Sequence, residues 1–277
     1  MKSEYIFTDT QFDSELKRLQ ILEKVSDPAS RRRILATGLT TGWQCLEVGA
    51  GAGSIMRWMS QEIGTSGKVT AIDVDTRFVE DRSLPILPNA EVIKADINQT
   101  VLTDSFDLIH ARNILIHLAD YQVTLAKIFN WLKPNGWLVL EEPDFSAARF
   151  ISGTQSEHQS VKRVNQAICQ MFTNQGKDYA LGVKLPFLLQ QLGLQQLQVK
   201  NDVPISPGGS DIATMMKLSA LGLAEKYTAT GMARNEDIQN YCQFAENPTS
   251  WGIYLATVGV WGQKNARQND RHLSQEI

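Results

Sequence analysis

Residues Leu46 to Ser54 read LEVGAGAGS, a short apolar run that breaks into alternating glycine and alanine. This stretch constrains the fold more than any other. A turn stripped of side chains between a strand and a helix lets a ligand approach the main chain, and glycine reaches positive φ at little steric cost. A Walker-type phosphate loop would close on Gly-Lys-Ser/Thr, whereas Gly53 is followed by Ser54, Ile55 and Met56. A dinucleotide fingerprint would place Gly or Ala at position 54 and meets Ser54, so spacing alone leaves it open. Glu47, two residues before Gly49, shifts the balance, because a carboxylate repels a pyrophosphate and suits a ligand bearing an ammonium group.

The surrounding chain alternates short β-branched runs with helix-length segments, the pattern of a parallel sheet with crossover helices. Five strands are predicted first, over 44–48, 68–74, 90–96, 106–111 and 136–142. Gly64 reads as the C-cap of the helix that leaves the glycine turn, and Pro134–Gly136 as the stop of a helix over 121–133. The later half predicts a helix over 185–193, a strand over 194–200 and one long last strand over 251–263. Helical insertions interrupt it. Glu47, Asp73 and Asp96 fall at the carboxyl ends of consecutive strands, the edge where open α/β sheets bind ligands. Taken singly, Asp73 or Asp96 reads equally well as a helix cap or turn residue.

The string Glu47-x-Gly49-x-Gly51-x-Gly53 resembles motif I of the class I S-adenosylmethionine-dependent methyltransferases. The resemblance extends through "TAIDVD", "VIKADI", "FDLIHARNILIHL" and "LKPNGWLVLEE", roughly Gly42 to Glu142. It implies a Rossmann-like α/β fold with a mostly parallel seven-stranded sheet, helices on both faces, and N-terminal and late helical insertions forming a lid. It further implies S-adenosyl-L-methionine as cofactor, bound by Glu47, Gly49, Ala50, Gly51, Gly53, Asp73, Val74, Asp96, Ile97 and Ala111. In that family Asp73 would stand at the ribose hydroxyls and Asp96 at the adenine amino group, with Ile97 against the ring. The expected organisation is a helical cap over 1–37, a methyltransferase domain over 38–263 with lid insertions near 145–180 and 205–250, and a polar tail over 264–277.

The methyl donor arrives activated, so the enzyme has chiefly to align a nucleophile and, for a hydroxyl, to remove its proton. His110 and His117 flank the exit of the fourth strand and are the candidate bases. Each also reads as a structural residue, His110 hydrogen-bonded in the core and His117 at a helix start. Arg112 is expected to bind a carboxylate of cofactor or acceptor, or to pair with an acid of the scaffold; Glu142 and Asp144 orient an acceptor or cap the next segment. The aromatic N-terminus (Tyr5, Phe7, Phe12) and a late insertion carrying Met215, Met216, Tyr227, Met232, Tyr241 and Phe244 suit an apolar wall around a medium-sized organic acceptor. Tyr5, Arg112 and Met215 are the candidate substrate contacts. The arrangement resembles bacterial methyltransferases of quinone and secondary-metabolite pathways, with O-methylation placed ahead of N- or C-methylation. An RNA or protein acceptor, a nicotinamide-dependent oxidoreductase on the same loop, and a cofactor-binding subunit without activity stand as alternatives.

Composition narrows these. With 277 residues and 43% hydrophobic content, one enlarged domain is expected. A formal charge of −3 and the lack of a dense basic block argue against a nucleic-acid partner. The nearest basic cluster, "SRRRIL" at Ser30 to Leu35, reads as the solvated face of a short helix. Without a signal-like run at the N-terminus or ~20 consecutive apolar residues, the expectation is a cytoplasmic protein with no membrane span. Cys45, Cys169 and Cys242 are far apart with no His at ligand intervals, so no metal site is expected.

Overall fold

The computed structural model describes residues 6–7, 11–79, 87–103 and 105–266. In chain order the elements are α1 (Phe12–Leu35), β1 (Gln44–Val48), α2 (Ser54–Ile63), β2 (Lys68–Asp73), β3 (Ala90–Lys94), β4 (Phe106–Arg112), α3 (Tyr121–Asn130), β5 (Leu132–Asp144), β6 (Arg149–Ser152), α4 (Gln155–Asn174), α5 (Leu181–Gln191), β7 (Gln195–Asp202), β8 (Ser206–Pro207), α6 (Asp211–Gly222), α7 (Ala224–Thr228), α8 (Asn235–Glu246), β9 (Trp251–Ile253) and β10 (Ala256–Gln263). The main sheet has seven strands in the order β3-β2-β1-β4-β5-β10-β7. Its first five strands run parallel and β10 pairs antiparallel to both β5 and β7. Strand order reverses at β1, where β2 and β4 flank it, so a crevice opens beyond the carboxyl ends of these strands.

Strand alternation divides the core into two apolar layers. Leu46 and Val48 of β1, with Ile109 and Ala111 of β4, join the layer packed by α3, α4, α5 and the late helices. Cys45, Leu108 and Val139 face the other way, against Ile55, Met59 and Ile63, which recur on one side of α2, and Ile34 of α1. Both faces of the sheet are thus covered by helices. Gly64 ends α2 at φ 64°, as its sequence signal implies.

The structure departs from the sequence pattern at three places. The run 251–263 is not one strand: β9 leaves for a second sheet of order β6-β9-β8, and only β10 completes the main sheet. Pro134–Gly136 does not stop the chain, because β5 begins at Leu132 and absorbs the turn as a register shift against β4, with Asn135 at φ 64°. The basic cluster is solvated only in part, with Arg32 exposed. It ends a 24-residue helix that runs through Pro28, and within it Ser30 and Arg33 are buried.

Arg33 lies across the sheet. Its guanidinium contacts Glu141 of β5 at 2.9 Å and Asp202 at the end of β7. Gly259 of β10 pairs with Glu141, and a Cβ at that position would stand 2.0 Å from the Arg33 Nε, so the glycine is what lets the side chain pass. Removing one partner of a buried pair strands the other charge, at a cost of about 3–5 kcal/mol. Arg33→Met is therefore expected to lower unfolding stability by about that amount in urea titrations. Gly259→Ala should destabilise by displacing the same side chain, so the double variant should fall well short of the sum. Full additivity would show that Gly259 does not serve Arg33.

Candidate active site

The glycine turn bends through three left-handed residues, Gly49, Gly51 and Gly53, at φ 83°, 56° and 91°. A Cβ at Gly49 would strike the Ile114 side chain at 2.0 Å, whereas one at Gly51 would meet only Leu19 at 3.9 Å. Gly49 is bare because the chain beyond β4 presses on it; Gly51 is bare towards a cavity. That cavity is bordered by Glu47, Gly49, Ala50, Gly51, Asp73, Val74, Asp96 and Ile97, which brings most of the anticipated cofactor residues to one rim. Two of the set stand elsewhere. Ala111 is fully buried within β4, and the wall there is formed by Arg112, Asn113 and Ile114. Gly53 does not border the cavity; it starts α2, where a Cβ would crowd Val79 at 2.8 Å.

Asp73 and Asp96 are each held by the backbone. Asp73 accepts from the N–H of Gly51 at 2.9 Å and of Asp75 at 2.9 Å, tying β2 to the glycine turn. Burial pushes its carboxyl up against these bonds. Asp96 accepts from Asn98 N–H at 2.9 Å, leaving its half-buried carboxylate on the rim. A carboxylate has lone pairs beyond those used here, so these acids retain acceptor capacity for a diol and an amine.

The first turn of α2 decides between cofactors. In a dinucleotide site the helix N-terminus receives a pyrophosphate. Here the Ser54 N–H donates to Glu23 of α1 at 3.1 Å and the Ser54 hydroxyl to Asp27 at 3.0 Å. Two carboxylates occupy the place a phosphate would take. Ser54, the misfit to the dinucleotide pattern, is the residue that docks α1. Arg112 completes this corner by donating to Asp27 at 3.0 Å and to Ser30 at 2.8 Å; it borders the cavity while paired with the scaffold.

Glu47 sits directly across from His110 in the β1–β4 register, and the His110 Nδ1 lies 2.8 Å from its carboxylate. The Nε2 lies 3.3 Å from Glu141. Both ring nitrogens therefore face carboxyl groups, an arrangement that favours the imidazolium, although burial also pushes the Glu47 carboxyl up. Burial opposes that charge, but Glu47 and Glu141 outweigh it and push the His110 pKa up to about 9. His110 is fully buried and does not border the cavity, so the expectation that it acts as a base is corrected: it is a fixed cation behind Glu47.

His117, on the short turn Leu115–His117, does border the cavity. Burial, reinforced by the charges of Lys177 and Arg18, drives its pKa down to about 3. It stays neutral at working pH and is too weak a base to hold a proton there. The turn itself hangs on Glu142, whose buried carboxyl accepts from the N–H groups of Ile114, Leu115 and Ile116 at 3.0, 2.8 and 3.2 Å. Asp144 likewise caps the turn at Phe145–Ala147 through Ser146 N–H at 2.9 Å.

Away from the rim the cavity widens into an apolar chamber. Phe145 and Phe172, stacked at 5.5 Å, form one side; Met215 and Met216 of α6 and Tyr227 of α7 form another; Phe7 and Leu19 approach from the N-terminal segment. Met215 borders the cavity, and Tyr5 lies outside the described residues. Tyr241 and Phe244 pack in the core behind the chamber, Met232 belongs to an outer groove, and Phe12 stacks on Phe78. Sequence reasoning missed what α1 contributes: Arg18, Leu22, Glu23 and Ser26 all border the cavity. The signal available was the Glu/Asp/Arg spacing along 15–33, of which only the cluster at Ser30 to Leu35 was considered. Among the described residues no group of His, Cys, Asp and Glu could hold a metal ion, and no helix is long and apolar enough to cross a membrane.

A glycine turn at the sheet's switch point, acids closing three successive strands, and a helix N-terminus barred to phosphate define a class I S-adenosylmethionine-dependent methyltransferase. The sequence profile of the methyltransferase-domain family matches residues 16–181, and the chain belongs to that family. It is 26% identical over 230 residues to methyltransferase str2 of Strobilurus tenacellus, covering 77% of this chain and 81% of that protein. It is 28% identical over 112 residues to the ubiquinone/menaquinone biosynthesis C-methyltransferase UbiE of Psychromonas ingrahamii, which covers 38% of this chain and 45% of the relative. Among solved structures, coclaurine N-methyltransferase bound to N-methylheliamine and S-adenosylhomocysteine superposes with a TM-score of 0.50 at 15% identity, over 87% of this chain and 71% of that one. The cofactor is S-adenosylmethionine. The family match removes the nicotinamide alternative.

Two outcomes are expected. Asp73→Asn, which keeps one acceptor oxygen on the turn, should weaken S-adenosylhomocysteine binding about tenfold or more in calorimetric titration; an unchanged Kd would take Asp73 out of the site. The His110 pKa rises from about 6.5 unfolded to about 9 folded, so its stabilisation is complete below pH 6.5 and is lost as pH rises through 9. Urea stability of the parent should fall over that window more than that of His110→Gln; parallel curves would mean the ring is not charged.

Proposed function

We propose that this enzyme methylates a small organic acceptor, on oxygen in preference to nitrogen or carbon. The observation that carries the reading is the chamber itself: it opens from the cofactor rim and is walled by Phe145, Phe172, Met215, Met216 and Tyr227. Ligand sites for small molecules have this composition, mostly apolar with a few placed polar groups. A nucleic-acid acceptor would require a basic approach, and the chain carries a net charge of −3. Relatives and structural neighbours include enzymes named for N- and C-methylation, so the atom methylated is argued from this chain's own chemistry.

In this reading Glu47 faces the cofactor's ammonium, Asp73 its ribose diol and Asp96 its adenine amine, with Ile97 against the ring. When bound, the cofactor supplies a methyl group already activated on a sulfonium. The protein's own work is placement. Glu142 fixes the turn that carries His117, and Met215 and Phe145 confine the acceptor beside the rim and exclude water. Residues about 145–180 and 205–250, with Phe7 and the first half of α1, act together as the roof of the chamber.

Incubation of the full chain with radiolabelled S-adenosylmethionine and a panel of phenols, carboxylic acids, amines, bulk RNA and unfolded protein tests the proposal. Label should enter small hydroxylated compounds, and Met215→Trp, which fills the chamber, should cut that transfer by at least about tenfold while sparing S-adenosylhomocysteine binding. Label entering RNA or protein alone would overturn it.

A further inference from the structure

We propose that the acceptor is an acid methylated as its oxyanion, a carboxylate or the conjugate base of an acidic enol or phenol, and that Arg18 of α1 binds the anion. The inference rests on the small-molecule reading above and narrows it to one class of acceptor.

Charge is sorted along the cavity. The carboxylates that border it, Glu23, Glu47, Asp73, Asp75 and Asp96, belong to the glycine turn, the strand ends and the α1–α2 corner. Among the described residues of the chamber there is no carboxylate on the wall, and the charged group there is Arg18. It borders the cavity together with Phe7, His117 and Tyr227. The guanidinium lies 3.9 Å over the Phe7 ring and is gripped on its Nε and Nη2 edge by Glu15, at 2.8 and 2.7 Å. Arg18 and Glu15 are 8% and 3% exposed, so the pair is a dry one. A buried pair of this kind adds little stability over apolar side chains of similar volume, and Leu19 and Leu22 beside it show that this wall accepts them. What an arginine provides and a leucine does not is a rigid cation with donors matched to a carboxylate.

Among the described residues the chamber wall also offers no group suited to take a proton. His110 is sealed behind Glu47, His117 is held neutral with little basicity, and burial pushes the Tyr227 hydroxyl up. An acceptor must therefore lose its proton to solvent before it binds, which selects acids. The step then balances without a base. A lone pair of the acceptor oxyanion forms the bond to the methyl carbon, the electron pair of the methyl–sulfur bond stays on sulfur, and no proton moves. A cation and an anion become two less charged products, a change favoured where water is excluded.

Titration of the full chain, saturated with S-adenosylhomocysteine, with cinnamate and with cinnamamide tests the anion site apart from turnover. Cinnamate should bind about tenfold or more tightly than the amide. Arg18→Gln should abolish the difference with S-adenosylhomocysteine affinity retained, Arg18→Lys should keep part of it, and Glu15→Gln, which leaves the guanidinium in place and removes a competing carboxylate, should enlarge it. With a series from phenol to pentafluorophenol, the pH–rate inflection should track each acceptor's own pKa. Equal binding of acid and amide, an unchanged preference in Arg18→Gln, or one inflection shared by every acceptor would overturn the proposal. No label transfer to any small compound, with S-adenosylhomocysteine still bound, would instead strike the small-molecule reading on which it rests.

Discussion

A row of buried charge crosses the sheet beneath the cofactor rim, and much of the site depends on it. Glu47, His110 and Glu141 stand on adjacent strands β1, β4 and β5, Asp202 closes the row on β7, and Arg33 bridges from α1 over the bare backbone of Gly259. Burial alone would push the Glu141 carboxyl up, but contact with His110 and the charges of His110 and Arg33 hold it below its ordinary value. Each member is tolerable because its neighbour is charged. Such a row is a poor source of net stability and a good source of register, since a one-residue slip of any strand would turn its charge into the apolar layer on the other face.

The consequence for the site is that α1 is part of it. Arg33 fixes the last turn of the helix to β5 and β7, Asp27 fixes its middle to Arg112 and Ser54, and Glu23 closes the N-terminus of α2. Held at these points, the helix brings Arg18 and Leu22 to the cavity two to four turns earlier in the chain. The carboxylates that close the N-terminus of α2 and a stretch of the cavity wall thus come from one element. The acids that bar a phosphate from α2 are on the same helix as the cation facing the chamber.

The sheet and the rim were legible in the sequence because they rest on local signals: β-branched runs between helix-length segments, and an acid where each strand ends. What escaped depends on contacts far apart in the chain. Nothing local marks Arg33, 108 residues from Glu141, as buried, and an arginine cluster on a helix reads as solvated by default. The error over His110 has a plainer cause. It shares strand parity with Leu108, not with Ile109 and Ala111, and so faces α1 with Glu47 opposite, whereas His117 lies beyond the strand, where the wall of the cavity begins. Ala111 was expected on the rim from the family resemblance, though the strand carries it one residue short of the edge. The last strand divides at Tyr254–Leu255 because β9 finds partners in β6 and β8, short segments with too little pattern to be seen.

The two histidines show how one fold keeps its charges apart. His110 has carboxylates on both sides and is driven to the cation; His117, seven residues on, has Arg18 and Lys177 in its field and is driven to the neutral form. The cation supports the half of the cavity lined by acids, where a positively charged cofactor is to be held. The neutral ring borders the cavity together with Arg18 and Tyr227. A deprotonated His110 would leave the Glu47 and Glu141 carboxylates buried with no cation between them, so the elevated value of one ring and the depressed value of the other each follow from the charges packed around that ring.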